Sequence, residues 1–163
     1  MTSILVDLGI ASAADFFREV AWPNHVAFGR QPSTIAALNA AWAYWHLHEW
    51  HFWDRHPATL TRDQSDPLLK AYRRQMLSEC LELRWLRDMT EAWKHRRLHR
   101  NDVRVRAISP HTLGPALGTA PLLTTPLLGS ITSIVVEVEG TTRNFETLLE
   151  AASSYWRRQL GLL

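Results

Sequence analysis

A chain of 163 residues with 46% hydrophobic and 21% charged residues falls within the globular class, and at this length one domain, residues 1–163, buries roughly 70% of the surface its unfolded chain exposes. A single cysteine, Cys80, excludes an internal disulfide and predicts a reducing, cytoplasmic setting. The net charge of +2 implies no polyanion partner by itself, and no stretch approaches the ~18 apolar residues of a membrane span.

Taken in chain order, the opening MTSILVDLGIASAADFF has no basic leader and carries Asp7 in its apolar run, so no export signal is expected. Ser12 predicts the cap of a first helix over 13–21, which should stop or kink at Trp22-Pro23, with a short turn over 25–28. Pro32-Ser33 opens the clearest helix, from 33 to 55, and Pro57 ends it. Asp66-Pro67 opens a second, expected to run unbroken from 67 to 97. These two form an antiparallel scaffold. After His99 the pattern changes: 101–108 alternates polar and apolar residues and 131–138 is rich in β-branched ones, so both read as strands. Between them, SPHTLGPALGTAPLLTTPLLGS reads as a long apolar loop packed on the body. Glu139 to Thr142 suits a turn, and Asn144 caps a final amphipathic helix. The expected class is α+β and mainly helical, with three or four helices and a small C-terminal β-hairpin or strand pair.

The stretch AAWAYWHLHEWHFWDRH gathers four tryptophans and four histidines on one helix. At helical spacing Ile35, Leu38, Trp42, Trp45, Glu49 and Trp53 share a stripe with His46 on its border, which predicts a carboxylate and an imidazole buried in an aromatic face. Buried polar groups need partners. A chain reversal near residue 61 puts Arg73 or Arg74 opposite Glu49, so Trp42, Trp45, His46, Glu49, Trp53 and Arg73 are the pocket candidates. Along a straight helix pair, the motif KHRRLHR at 94–100 would lie roughly 30 Å from His46.

That second motif has two readings. Glu91, His95 and His99 have the i, i+4, i+8 spacing of helical metal ligands. The surrounding cations oppose a metal and favour an anion, so no metal and no cofactor are assigned. Lys94, His95, Arg96, Arg97, His99 and Arg100 are therefore anion-binding candidates, and with Arg104 and Arg106 they could track a nucleic-acid backbone. Cys80, among leucines, reads as a buried hydrophobe rather than a nucleophile.

The combination of WHLHEW at 45–50 and LRDMTEAWKH at 86–95 resembles a loose family of small bacterial proteins, some associated with mobile gene cassettes. Its members carry a Trp-His-x-x-acidic-Trp helix and an Arg-Asp followed by Lys-His; the resemblance implies no particular activity. HRRLHR is also similar to the HxxxHR of DinB-like metal enzymes, which implies His46 as a third ligand, although the strands after His99 depart from that bundle. A basic, His-containing helix end is similar to that of HEPN-type ribonucleases, without their usual Arg-to-His spacing. Three function classes follow. The first is a small-ligand or partner-binding helical domain with an aromatic-lined polar pocket. The others are a metal-independent enzyme or binder acting on a phosphorylated or nucleic-acid substrate, and a His/carboxylate metal enzyme.

Overall fold

The computed structural model describes residues 9–95, 103–113 and 131–163. In chain order they form α1 (Ala13–Phe16), a π-helical turn (Phe17–Ala21), α2 (Trp22–Arg30), α3 (Thr34–Asp54), α4 (Arg62–Glu79), α5 (Leu81–Lys94), β1 (Val105–Leu113), β2 (Ile131–Val138), β3 (Thr141–Asn144) and α6 (Phe145–Gln159). The class is α+β and mainly helical, as expected. Three expectations lie outside the described residues: the reading of the first eight residues, the basic positions Arg96, Arg97, His99 and Arg100, and the Pro/Gly-rich segment after Leu113 up to Ser130. Among the described residues no helix is long and apolar enough to cross a membrane.

Three helix starts follow local chemistry. Ser12 accepts from the Asp15 N–H, Ser33 from that of Ala36 and Asn144 from that of Glu146, each satisfying a first-turn donor that the helix cannot. Pro23 does not stop the first helix. The π-helical turn precedes it, with the Trp22 N–H reaching back to the Phe17 carbonyl, and this wider register carries the chain past a residue that lacks an N–H and crowds the preceding turn. The side-chain amide of Asn24 donates to the Val20 carbonyl at 2.8 Å.

The second scaffold helix departs from expectation at both ends. It starts at Arg62, before Pro67, because the Gln64 side chain accepts from the Thr61 N–H at 3.0 Å and so closes a capping box one turn earlier. It then breaks at Cys80, whose extended backbone (φ −141, ψ 103) ends α4 and leads directly into α5. The antiparallel relation holds on both sides of the break. Tyr72 and Arg73 of α4 reach His51 and His48 of α3, while Trp93, near the end of α5, shares a cleft with Asn39 and Trp42 in the first half of α3. The break resets the register, so the separation of roughly 30 Å expected for a straight helix pair does not carry over to the end of α5.

Helix α3 is the central element, in contact with α1, α2, α4, α5, α6 and β1. Its alanines at 37, 40, 41 and 43 are buried with Tyr44, Trp45 and Leu47, and small side chains there let neighbouring helices approach closely. Leu83, Leu86 and Met89 of α5 and Phe145, Leu148, Leu149 and Trp156 of α6 complete the interior.

The sheet has three strands in the order β1-β2-β3, antiparallel throughout, one more than expected. Ile134, Val136 and Val138 alternate inward. Strand β1 begins and ends later than the alternation suggests, since pairing from Val105 opposite Val138 to Leu113 opposite Ile131 takes up the start of the expected loop. Pro110 is accommodated because β1 is an edge strand, where a missing donor costs no ladder bond on the outer side. Between β2 and β3 the turn is only Glu139-Gly140, both with positive φ (51 and 77), the two-residue form that matches strand twist.

Candidate functional site

The first polar cluster lies where α3 faces α4. Arg73 Nη2 donates to Glu49 Oε1 at 2.8 Å, the partnership expected from the chain reversal. Its Nε donates at 2.6 Å to His48 Nε2. A guanidinium has only donors, so that ring nitrogen presents a lone pair and the proton sits on Nδ1, which donates to the Trp45 carbonyl at 2.5 Å. Burial above all pushes the imidazole of His48 down to about 4, with Arg73 adding to the shift. The Glu49 carboxyl is held well below the usual carboxylate range, by the His46 imidazole first and by His48 and Arg73 as well. At 3.8 Å the His46 contact is longer than the Arg73 bond, so distance gives Arg73 the firmer hold.

The facing of α3 differs from expectation. His46 is partly exposed and rests on the Trp42 ring at 4.7 Å, and the histidines that are buried are His48 and His51. Trp42 and Trp53 are 41% and 43% exposed and Ile35 more so, while Trp45 is buried. The stripe of large residues is not the core face its spacing predicts: the alanine face packs inward and turns Trp42 and Trp53 outward. Glu49 is accordingly 42% exposed. Glu49→Ala is expected to cost about 1 kcal/mol in urea denaturation rather than the loss typical of a fully buried pair; a cost above about 3 kcal/mol would show the cluster to be more desolvated than its exposure indicates.

A second arrangement was missed by the sequence reading. The C-terminal ends of α3 and α6 and the length of α4 border an open cleft of about 490 Å³. Phe52 comes from α3, and Arg55 and His56 from the residues just after it; from α4 come Leu68, Ala71, Tyr72, Gln75, Met76 and Glu79; from α6 Tyr155 and Gln159. Behind it, the Tyr72 hydroxyl and His51 Nδ1 are 2.6 Å apart, and the Gln159 carbonyl accepts from the same ring. Tyr72 therefore serves as the donor to Nδ1. Burial pushes the Tyr72 hydroxyl up to about 12, and the Tyr155 hydroxyl is raised by burial and by donating to Glu79 Oε2 at 3.0 Å. The other oxygen of Glu79 accepts from Gln75 at 2.8 Å. His56 stacks on Phe52 with ring centroids 4.0 Å apart, its Nδ1 2.7 Å from the Phe52 carbonyl, so Nε2 is its remaining ring nitrogen. One signal was available in the sequence: Leu68, Tyr72, Gln75, Met76 and Glu79 fall on one helical face, which mixes apolar and polar groups.

A smaller cleft of about 310 Å³ is lined by Asn24, Asn39, Trp42 and Trp93. Of the anion-binding candidates, Lys94 and His95 are exposed at the end of α5, and Arg106 is exposed in β1. Arg104 is engaged by Glu139 at 3.2 Å. The Arg-Asp pair ahead of them turns inward: Arg87 and Asp88 are buried, and Asp88 also accepts from the Arg104 backbone N–H at 2.7 Å. Among the described residues no group of three or more His, Cys, Asp or Glu comes within metal-ligating range. Cys80 is buried, and burial pushes its thiol up to about 11, the opposite of an activated nucleophile. No family model, curated protein or solved structure matches the chain at a significant level.

Proposed function

We propose that this chain is a small-ligand-binding helical module and that its binding site is the cleft between α3, α4 and α6, not the Trp42–Glu49 face. The observation that carries this reading is the composition of that cleft. Its volume of about 490 Å³ lies within the roughly 300–1,000 Å³ of small-molecule sites, which join apolar walls to a few convergent polar groups. Leu68 and Ala71 supply apolar surface over the buried Phe52 and Met76; Arg55, His56, Gln75 and Glu79 supply the polar groups. The hydroxyls of Tyr72 and Tyr155 are already held by His51 and Glu79, so no ordering cost falls on those two side chains.

A phosphate-binding reading of the basic run is the alternative: there Lys94, His95 and Arg106 are exposed, while Arg104 is engaged by Glu139. Kinship with the small bacterial family belongs to the same proposal. Trp45 and Asp88, which carry its two motifs, are buried here, so the motifs would mark a shared fold rather than shared chemistry. A cytoplasmic setting fits the lone buried thiol of Cys80.

The test is a fragment titration of the full chain followed by 1H–15N correlation spectra. Shift changes are expected to concentrate on the cleft-lining residues of α3, α4 and α6. Ala71→Trp, at an exposed cleft position, should fill the space and remove those changes while leaving the rest of the spectrum in place. Changes that scatter over the surface, or persist in Ala71→Trp, would rule the cleft out.

A further inference from the structure

The charges lining this cleft select among ligand classes. Arg55 and Glu79 both line it, and neither belongs to an ion pair among the described residues. Glu79 accepts only from the neutral donors Gln75 and Tyr155. A cation and an anion thus line one cleft together with Tyr72. Both side chains are exposed, so water solvates each charge in the free protein, and a ligand gains most where it replaces that water at both. A simple anion would meet Arg55 but face Glu79, and a simple cation the reverse. A molecule carrying both charges meets both. Beside them, the exposed Leu68 and the His56 ring, stacked on the buried Phe52, offer an apolar surface.

Resting on the reading of this cleft as a ligand site, we infer that it takes a zwitterionic small molecule with an apolar side group, of the amino-acid type. Arg55 receives the carboxylate, Glu79 the ammonium, and the surface of Leu68 and His56 the side group. A guanidinium suits a carboxylate because it can donate two parallel N–H bonds. Glu79, with both oxygens already accepting one hydrogen bond, keeps further lone pairs for an ammonium.

The test uses two ligand series titrated into the full chain by 1H–15N spectra: L-phenylalanine with L-phenylalaninamide and 3-phenylpropionate, and L-leucine with L-leucinamide and 4-methylpentanoate. The zwitterion of at least one series is expected to bind about tenfold or more tightly than either of its singly charged analogues, the size of one charge-assisted hydrogen bond. Arg55→Leu should remove the zwitterion's advantage over its amide without weakening the amide, which no longer faces a cation. Glu79→Gln, which keeps an acceptor for Tyr155, should remove its advantage over the des-amino acid without weakening that compound, which no longer faces an anion. If singly charged compounds move the cleft resonances as strongly as the zwitterions, the site stands and the zwitterion inference falls. If none of the six compounds moves them and the fragment titration also fails, both fall. Because the ligand comparison is made on the unaltered protein, a variant that does not fold leaves the outcome decidable.

Discussion

Replacing Asp88 by alanine is expected to destabilise the protein by about 3–5 kcal/mol, the range for breaking a buried ion pair and a large fraction of the roughly 5–15 kcal/mol that holds a domain folded. The Asp88 side chain is fully buried and that of Arg87 nearly so. Oδ1 accepts from Arg87 Nε at 3.1 Å and Nη2 at 2.9 Å, while Oδ2 accepts from the backbone N–H of Arg104 at 2.7 Å. One carboxylate thus neutralises a buried guanidinium and ties α5 to the chain entering β1. Alanine removes the charge from beside Arg87 and leaves the Arg104 N–H without its acceptor. Asp88→Asn keeps acceptor capacity without the charge and should fall between the two. Urea denaturation at neutral pH decides the matter: a loss below about 1 kcal/mol for Asp88→Ala would deny the carboxylate this role.

Acid is expected to destabilise the fold well before the carboxylates titrate. In the folded chain His48 titrates at about 4 against its ordinary 6.5, so between those values the unfolded chain binds a proton that the folded chain refuses. Stability from this group is complete above about pH 6.5 and is lost as pH falls toward 4, amounting to about 3 kcal/mol for a shift of this size. Burial lowers His25 and His51 as well, and their contributions have the same sign. Glu49, depressed in the folded state, adds a loss only below its ordinary value of 4.5. Urea midpoints should therefore be level above about pH 7 and fall between about pH 6.5 and 4.5. His48→Gln, which removes one titrating group, should flatten that fall. Equal midpoints at about pH 8 and pH 5 would mean that the three histidines accept protons in place.

Caps, the chain reversal and the Glu49–Arg73 pair were legible in the sequence, because each depends on a few residues and on fixed helical geometry. Ser12 and Asn144 cap where expected, whereas the cap expected at Asp66 gives way to the capping box at Thr61; counting back from a turn near residue 61 is enough to set Arg73 against Glu49. The mainly helical class with a late sheet follows from the same periodicities. The facing of α3 was not legible: with neighbours on several sides, its inward face is chosen by how closely other helices can approach, and alanines pack there better than the larger Trp42 and Trp53. Nor was the break at Cys80, which carries neither glycine nor proline to mark it. Pro110 argues locally against a strand, yet pairing with β2 on one side, with the other left open as an edge, makes it one. The cleft belongs to this second group. Its walls come from residues 52–56, 68–79 and 155–159, and only tertiary packing, which is insensitive to sequence separation, brings three such stretches around one cavity.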